Sequence, residues 1–270
     1  MGVKTLRNRS FPTTIKIIMT APTAPSLDRG RYALIALATL LCAVFAVPTP
    51  RAHAAESPAP TEVGPPTRQW SWAARVLAPA NVRVRPDRAS KSLGLLQTTA
   101  PLGSGPMVLL ALETRVVDET EWTRVLLARR PNGSSGWVRS DVLRFRRNPM
   151  RIIIDQSERR TYVLRNGKVV LTVRDAVGKS ATPTPLGRFA VAEKIPVPSG
   201  VLGPMVLPTT GFSEVLNEYA GGNGRFALHG TNEPGLIGTR ASHGCIRHTN
   251  TDITRLAALV SPGTPILIRR

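Results

Sequence analysis

Beyond residue 69 the chain is a succession of short runs with strand patterning, each closed by turn-forming residues, and this excludes a fold built on long helices. "NVRVRP" (81–86) and "EWTRVLL" (121–127) alternate apolar and polar side chains, the two-residue period of a strand with one buried face. "MVLLAL" (107–112) is a continuous apolar strand, and "NGSSGWVRSDVL" (132–143) is a turn leading into "GWV". The 24 prolines and 22 glycines supply the breaks. Strands this short, at such intervals, suggest a small β-barrel. "RFRRNPM" (144–150) is a charged hinge closed by Pro149, after which strands resume: "RIIID" (151–155), "TYVLR" (161–165) and "VVLTVRD" (169–175). "QSERR" joins the first two, and "NGK" makes a hairpin turn between the next pair. "TPTPLGRFAVAEK" (182–194) opens with a proline-fixed turn and runs into a strand. Residues 195–225 are rich in Pro and Gly and read as a long irregular loop, of the kind that forms a lid or pocket wall. "RFALHG" (225–230) is a strand ending at a histidine. "NTDITRLAALV" (250–260) has helical spacing, with Asn250 or Thr251 as its cap, and "TPILI" (264–268) is the last strand.

The first 54 residues read as a targeting segment. Residues 32–47, "YALIALATLLCAVFAV", carry no charge, follow Arg29 and Arg31, and precede Ala52-His53-Ala54, a small-residue cleavage pattern. A run this short is expected to be a secretory signal with Met19 as a candidate start; an uncleaved membrane anchor is the other reading. "ESPAPTEVGPPTR" follows, within a Pro-rich linker over 55–69. The net charge is +19, but the arginines are scattered and no aromatic–basic motif accompanies them. The charge therefore points to an anionic cell envelope and not to nucleic acid. Export also changes the cysteine arithmetic. With Cys42 inside the signal, Cys245 is the remaining thiol: an interchain bridge, a buried bystander or a nucleophile.

The histidines narrow that choice. After the signal there are His229, His243 and His248, all within twenty residues and all around Cys245. A thiol attacks a carbonyl as thiolate, so it needs a base within reach, and a tetrahedral oxyanion needs backbone N–H donors. Gly244 leaves the backbone open beside Cys245, and His229 lies at a strand end where a side chain can face a cleft. Zinc is the competing reading, since three His and one Cys would suffice as ligands, but no second tight ligand pair accompanies His243 and Cys245. A buried Cys with exposed histidines leaves the clustering unexplained.

"HGT" (229–231) and "SHGCIR" (242–247), with His243 fourteen positions after His229, resemble the L,D-transpeptidase catalytic domain of the YkuD type. "ATPTPLGRFAV" (181–191) is similar to that family's upstream element, and "NTDITRLAALVSPGTPILI" to its closing helix and strand. "EWTRV" and "GWV" resemble bacterial Src-homology-3-like domains. The resemblances imply a mainly β chain. A small Src-homology-3-like β-barrel over 70–146 would be followed by a β-sandwich-like catalytic domain with one or two helices over 147–270. They imply Cys245 as nucleophile and His229 as base and acid, with its second ring nitrogen held by a main-chain carbonyl such as that of Gly230. Ser242 and His243 would line and fix the site, and Gly244 and Cys245 would offer oxyanion N–H groups. Arg247, Gly230 and Thr231 would contact substrate, Arg247 being equally readable as a salt bridge holding the following helix. His248 receives no role. The implied chemistry is transfer of a peptidoglycan stem acyl group to a second stem's amine by an exported monomer, with neither metal nor organic cofactor. The alternatives are an L,D-carboxypeptidase using water as acceptor and a wall-binding protein with little catalysis.

Overall fold

The computed structural model describes residues 62–198 and 200–270; the segment expected to be a targeting signal or anchor, with its 32–47 run, and the expected linker up to residue 61 lie outside the described residues. Among the described residues no helix is long and apolar enough to cross a membrane. The first strands are β1 (Ser71–Val76), β2 (Ala80–Arg83), β3 (Ser92–Leu96), β4 (Val108–Val117), β5 (Thr120–Leu126), β6 (Ser135–Arg139) and β7 (Leu143–Asn148). They pair antiparallel in one seven-stranded sheet, in the order β3-β2-β6-β5-β4-β1-β7. The sequence-expected strand at 81–86 stops at Arg83, while the run from 107 extends as far as Val117. Val76, Val82, Ala111, Val125, Val138 and Leu143 pack as the core of this sheet.

The second half is built on two further sheets. β8 (Met150–Asp155), β9 (Arg160–Arg165), β10 (Lys168–Arg174), β12 (Gly187–Ala190) and β18 (Pro265–Arg269) form a sheet ordered β10-β9-β8-β18-β12, in which only β8 and β18 run parallel. The β9–β10 turn has Asn166 at φ 50° and Gly167 at φ 78°. Both central residues are left-handed, as the tight hairpin turn expected of "NG" requires. β13 (Ile195–Pro196), β14 (Met205–Phe212), β15 (Arg225–His229) and β17 (Ile246–Arg247) form the other sheet, and here β15 and β17 run parallel. β11 (Val177–Gly178) and β16 (Arg240–Ser242) make a short parallel pair.

The α-helix among the described residues, α1 (Asn250–Leu259), buries Ile253, Leu256 and Ala257 against the core. Its cap is Thr249, whose Oγ1 accepts the Asp252 N–H at 3.1 Å, and not Asn250 or Thr251 as the sequence suggests. Ile152, Ile154, Val163, Leu207, Leu228, Ile246, Ile266 and Ile268 meet in a single apolar cluster. Phe189 and Phe226 cross edge to face within it, with centroids 5.0 Å apart.

The irregular loop expected over 195–225 is only partly irregular. β14 occupies its centre and pairs with β15, although a register shift falls between Pro208 and Phe212. Gly211 is required there, because a Cβ would stand 2.3 Å from the Phe226 ring and 2.5 Å from that of Phe189.

Candidate active site

The parallel pairing of β15 with β17 builds the site. Leu228 lies opposite Ile246 and His229 opposite Arg247. Successive side chains of a strand point to opposite faces. Leu228 and Ile246 are fully buried in the core, so His229, Arg247 and, one step before β17, Cys245 fall on the other side. The pairing is clasped from the far edge too: Arg247 and Ala176 exchange both main-chain bonds at 2.9 Å, and the His248 N–H donates to the His229 carbonyl at 2.9 Å.

His229 is almost entirely buried, and its Nδ1–H donates to the Gly230 carbonyl at 2.6 Å. With Nδ1 carrying the proton, Nε2 keeps its lone pair and can act as a base. Burial drives the His229 pKa down to about 4; the Gly230 carbonyl opposes this and the Arg247 charge adds to it. Cys245 is partly exposed. Burial pushes its thiol up, while the Ala227 amide and the Arg247 guanidinium pull the other way. At neutral pH Cys245 therefore rests as a thiol and His229 as a neutral imidazole.

The turn that carries Cys245 is fixed by side chains from two directions. Gly244 has φ 115°, a conformation that favours glycine. Ser242, fully buried, donates from Oγ to the Cys245 carbonyl at 2.5 Å and accepts the Gly244 N–H at 3.1 Å. The Gly244 N–H is thus engaged by Ser242, which corrects its expected place among the oxyanion donors. Thr184 donates to the Gly244 carbonyl at 3.0 Å and accepts the Gly178 N–H at 2.9 Å, and Thr182 donates to the Ser242 carbonyl at 3.3 Å. These two threonines come from the "TPTP" element. The sequence marks this element as a proline-fixed turn and as similar to the family's upstream element, but assigns its hydroxyls no role, although hydroxyls flanking prolines were the available signal.

His243 is half-buried. Its ring stacks on Tyr219 with centroids 4.7 Å apart, its Nδ1 bonds the Tyr219 hydroxyl at 3.0 Å, and its Nε2 accepts from Lys179 at 3.2 Å. Burial, then the Lys179 and Arg247 charges, lower its pKa. Lys179 and Tyr219 were not legible as site residues. Arg247 pairs with Glu233 at 3.0 Å, so of its two expected roles the salt bridge is present, although to Glu233 and not to the helix. Gly230 is needed for close packing, since a Cβ would meet the Asn250 Oδ1 at 2.4 Å. That same oxygen accepts the Thr231 N–H at 3.0 Å, and Thr231 Oγ1 accepts the Glu233 N–H. Gly230 and Thr231 therefore brace the loop after His229 against α1.

His248 turns inward and is fully buried, with Nε2 3.0 Å from the Thr161 hydroxyl, which donates to Asp175 Oδ2 at 2.7 Å. Among the described residues no group of three or more His, Cys, Asp or Glu side chains is placed to hold a metal ion.

A family model described as the YkuD L,D-transpeptidase catalytic domain matches residues 149–268. The YkuD protein of Bacillus licheniformis, an L,D-transpeptidase by name, is 31% identical over 164 residues, which cover 58% of this chain and 92% of that protein. The YkuD protein of Bacillus subtilis, of the same name, is 35% identical over 105 residues, or 39% of this chain and 57% of that one. Among solved structures, the catalytic domain of the Enterococcus faecium L,D-transpeptidase is similar at 27% identity, covering 44% of this chain and 96% of that chain with a TM-score of 0.33. The chain belongs to the family of L,D-transpeptidase catalytic domains of the YkuD type.

Proposed function

We propose that this protein is exported and cross-links peptidoglycan stem peptides through a thioester on Cys245. The observation that carries the reading is the pairing of β15 with β17, which brings a histidine with a free Nε2 to the same side as the thiol. The steps follow from the proton positions. As Sγ attacks the carbonyl carbon of the donor stem's third residue, His229 Nε2 takes the thiol proton. The tetrahedral oxyanion gathers at the Cys245 N–H, the amide left at that turn once Gly244 is engaged. The C–N bond breaks, His229 returns its proton to the departing amine, and a thioester remains. An amine of a second stem then attacks the thioester. His229 takes that amine's proton and delivers it to the sulfur as the C–S bond breaks.

His229 serves this cycle because it starts neutral. A preformed imidazolium could not accept the thiol proton, and burial keeps the ring uncharged well below neutral pH. The positive Arg247, facing Cys245, favours the thiolate as it develops. The Src-homology-3-like reading of residues 70–146 belongs to the same proposal, with wall binding as its expectation. The reading also takes the protein to be a monomer acting in the cell envelope.

The test is mass spectrometry of the full chain incubated with tetrapeptide muropeptides. A Cys245 adduct short of one terminal residue, with cross-linked dimers as products, is expected, and Cys245→Ala should form neither. Tripeptide products without dimers would make the protein an L,D-carboxypeptidase. Turnover by Cys245→Ala at the wild-type rate would end the thioester mechanism.

A further inference from the structure

Residues 213–224 form a compact loop whose ends meet: the Ser213 N–H donates to the Gly224 carbonyl at 2.8 Å, and Ser213 Oγ accepts the N–H groups of Val215 and Leu216. Its tip is a tight turn, in which Tyr219 and Gly222 exchange both main-chain bonds at 2.9 Å around Ala220 (φ 51°) and Gly221 (φ 77°). Tyr219 leaves that tip to stack on His243, two residues before Cys245.

The base of the loop is held by the turn between β5 and β6 of the seven-stranded sheet, some ninety residues earlier in the chain. The Arg130 guanidinium donates to three carbonyls at once: Ser213 at 2.5 Å, Leu216 at 2.9 Å and Asn223 at 3.2 Å. Asn132 pairs with both main-chain groups of Phe212, donating to its carbonyl and accepting its N–H, each at 2.8 Å. Arg130 also lies over the Phe212 ring, 5.0 Å from its centroid. Gly224 makes room for this arrangement. A Cβ there would stand 2.1 Å from the Leu216 carbonyl oxygen and 2.8 Å from Arg130 Nη2, and its φ is 74°.

We propose that Arg130 and Asn132 are positioning residues for substrate binding at the site, so that the N-terminal sheet acts through the 213–224 loop to set Tyr219 against His243. The chemistry of the contact supports this. A guanidinium is a rigid planar fork of five donors, so one side chain reaches all three carbonyls from two nitrogens and fixes their relative positions. The nucleophile and base do not depend on the loop, since β15 and β17 hold them. Loosening the loop should therefore weaken substrate binding far more than chemistry. This proposal rests on the reading of Cys245 as the acyl site.

The experiment uses the full chain as wild type, Arg130→Lys and Arg130→Met/Asn132→Ala. Donor KM and kcat are measured with a tetrapeptide muropeptide, and the His243 ring is followed by its NMR nitrogen signals. The expectation for both variants is a KM raised about ten-fold or more with kcat within about three-fold, and a shifted His243 signal. Arg130→Lys keeps the charge and loses the fork, so it separates geometry from charge steering and serves if the double variant does not fold. Unchanged KM and an unchanged His243 signal in a folded variant overturn the proposal. If the wild type turns over no muropeptide, the acyl-transfer reading fails, and the His243 signal still decides whether the N-terminal sheet positions Tyr219.

Discussion

Replacing Asp175 with asparagine should remove a loss of stability that the wild type suffers as pH rises through neutrality. Asp175 is fully buried just after β10, with one oxygen on the Thr161 hydroxyl and the other, Oδ1, without a partner. Burial raises its pKa from 3.8 to about 7, against the pull of Thr161 and Arg159. Between those two values the folded protein holds a proton that the unfolded chain has already released. The stability this carboxyl contributes is thus fully present below pH 3.8 and is lost as pH rises through about 7. A shift of roughly three units at 1.36 kcal/mol each amounts to about 4 kcal/mol, of which about 2–3 kcal/mol falls between pH 5 and pH 8. An asparagine side chain has no carboxyl proton to lose. His229 and His248 run the other way, since their lowered values make stability fall as pH drops below 6.5, but both are present in both proteins and cancel in the difference. Urea unfolding of the two proteins at pH 5, 6, 7 and 8 gives that difference directly. The asparagine amide leaves a donor unpaired in place of the orphan oxygen, a constant offset of about 1–3 kcal/mol. The quantity that counts is the slope: the variant should gain about 2–3 kcal/mol on the wild type between pH 5 and pH 8. A difference flat to within about 0.5 kcal/mol, inside extrapolation error, would mean that Asp175 titrates alike in the folded and unfolded states.

Gly244→Ala forces a side chain onto φ 115° in a turn pinned by Ser242 and Thr184, so thermal unfolding should show a loss of about 1–3 kcal/mol together with a fall in the rate of Cys245 alkylation. Thr184→Val keeps the shape and removes the clasp between Gly178 and Gly244. Each stranded group costs about 1–3 kcal/mol, and faster hydrogen exchange at the Gly178 amide would locate the damage. Lys179→Met removes a positive charge 3.2 Å from His243 Nε2, so the imidazole pKa should rise toward its ordinary 6.5 in an NMR titration. An unmoved titration would show that the Lys179 charge does not reach the ring.

Strand patterning made much of the catalytic half legible, and the exceptions have physical causes. β8 to β10 and β15 keep an alternating or β-branched pattern, and the Asn166-Gly167 turn declares itself by needing two left-handed residues. β14 does not, because it is buried along nearly its whole length on both faces, so its residues show no alternation, and Pro208 and Gly211 look like breakers. Gly211 is in fact a packing residue beneath the two phenylalanines. The threonine clasp on the Cys245 turn and the Arg130 clamp lay beyond sequence reading for a different reason. Both join segments sixty to ninety residues apart through side-chain to main-chain bonds, which leave no period in the chain.

The three histidines show how far parity along a strand can carry a sequence reading. Clustered within twenty residues, they suggest one shared chemistry, yet each goes to a different partner. Once "CIRH" is taken as extended, the two-residue period alone separates Cys245 and Arg247 from Ile246 and His248. Ile246 is an apolar core residue, so His248 belongs with it in the interior, where it meets Thr161. That separation was available from the letters and argues against a shared metal site for Cys245 and His248. The same parity places His243 with Cys245, but the inference stops there. Gly244 lies between them at φ 115°, outside the strand, and breaks the alternation that would have carried the side chain's direction across. A histidine two positions from Cys245 across such a glycine has its partner chosen by whatever loop reaches it, and here that loop brings Tyr219.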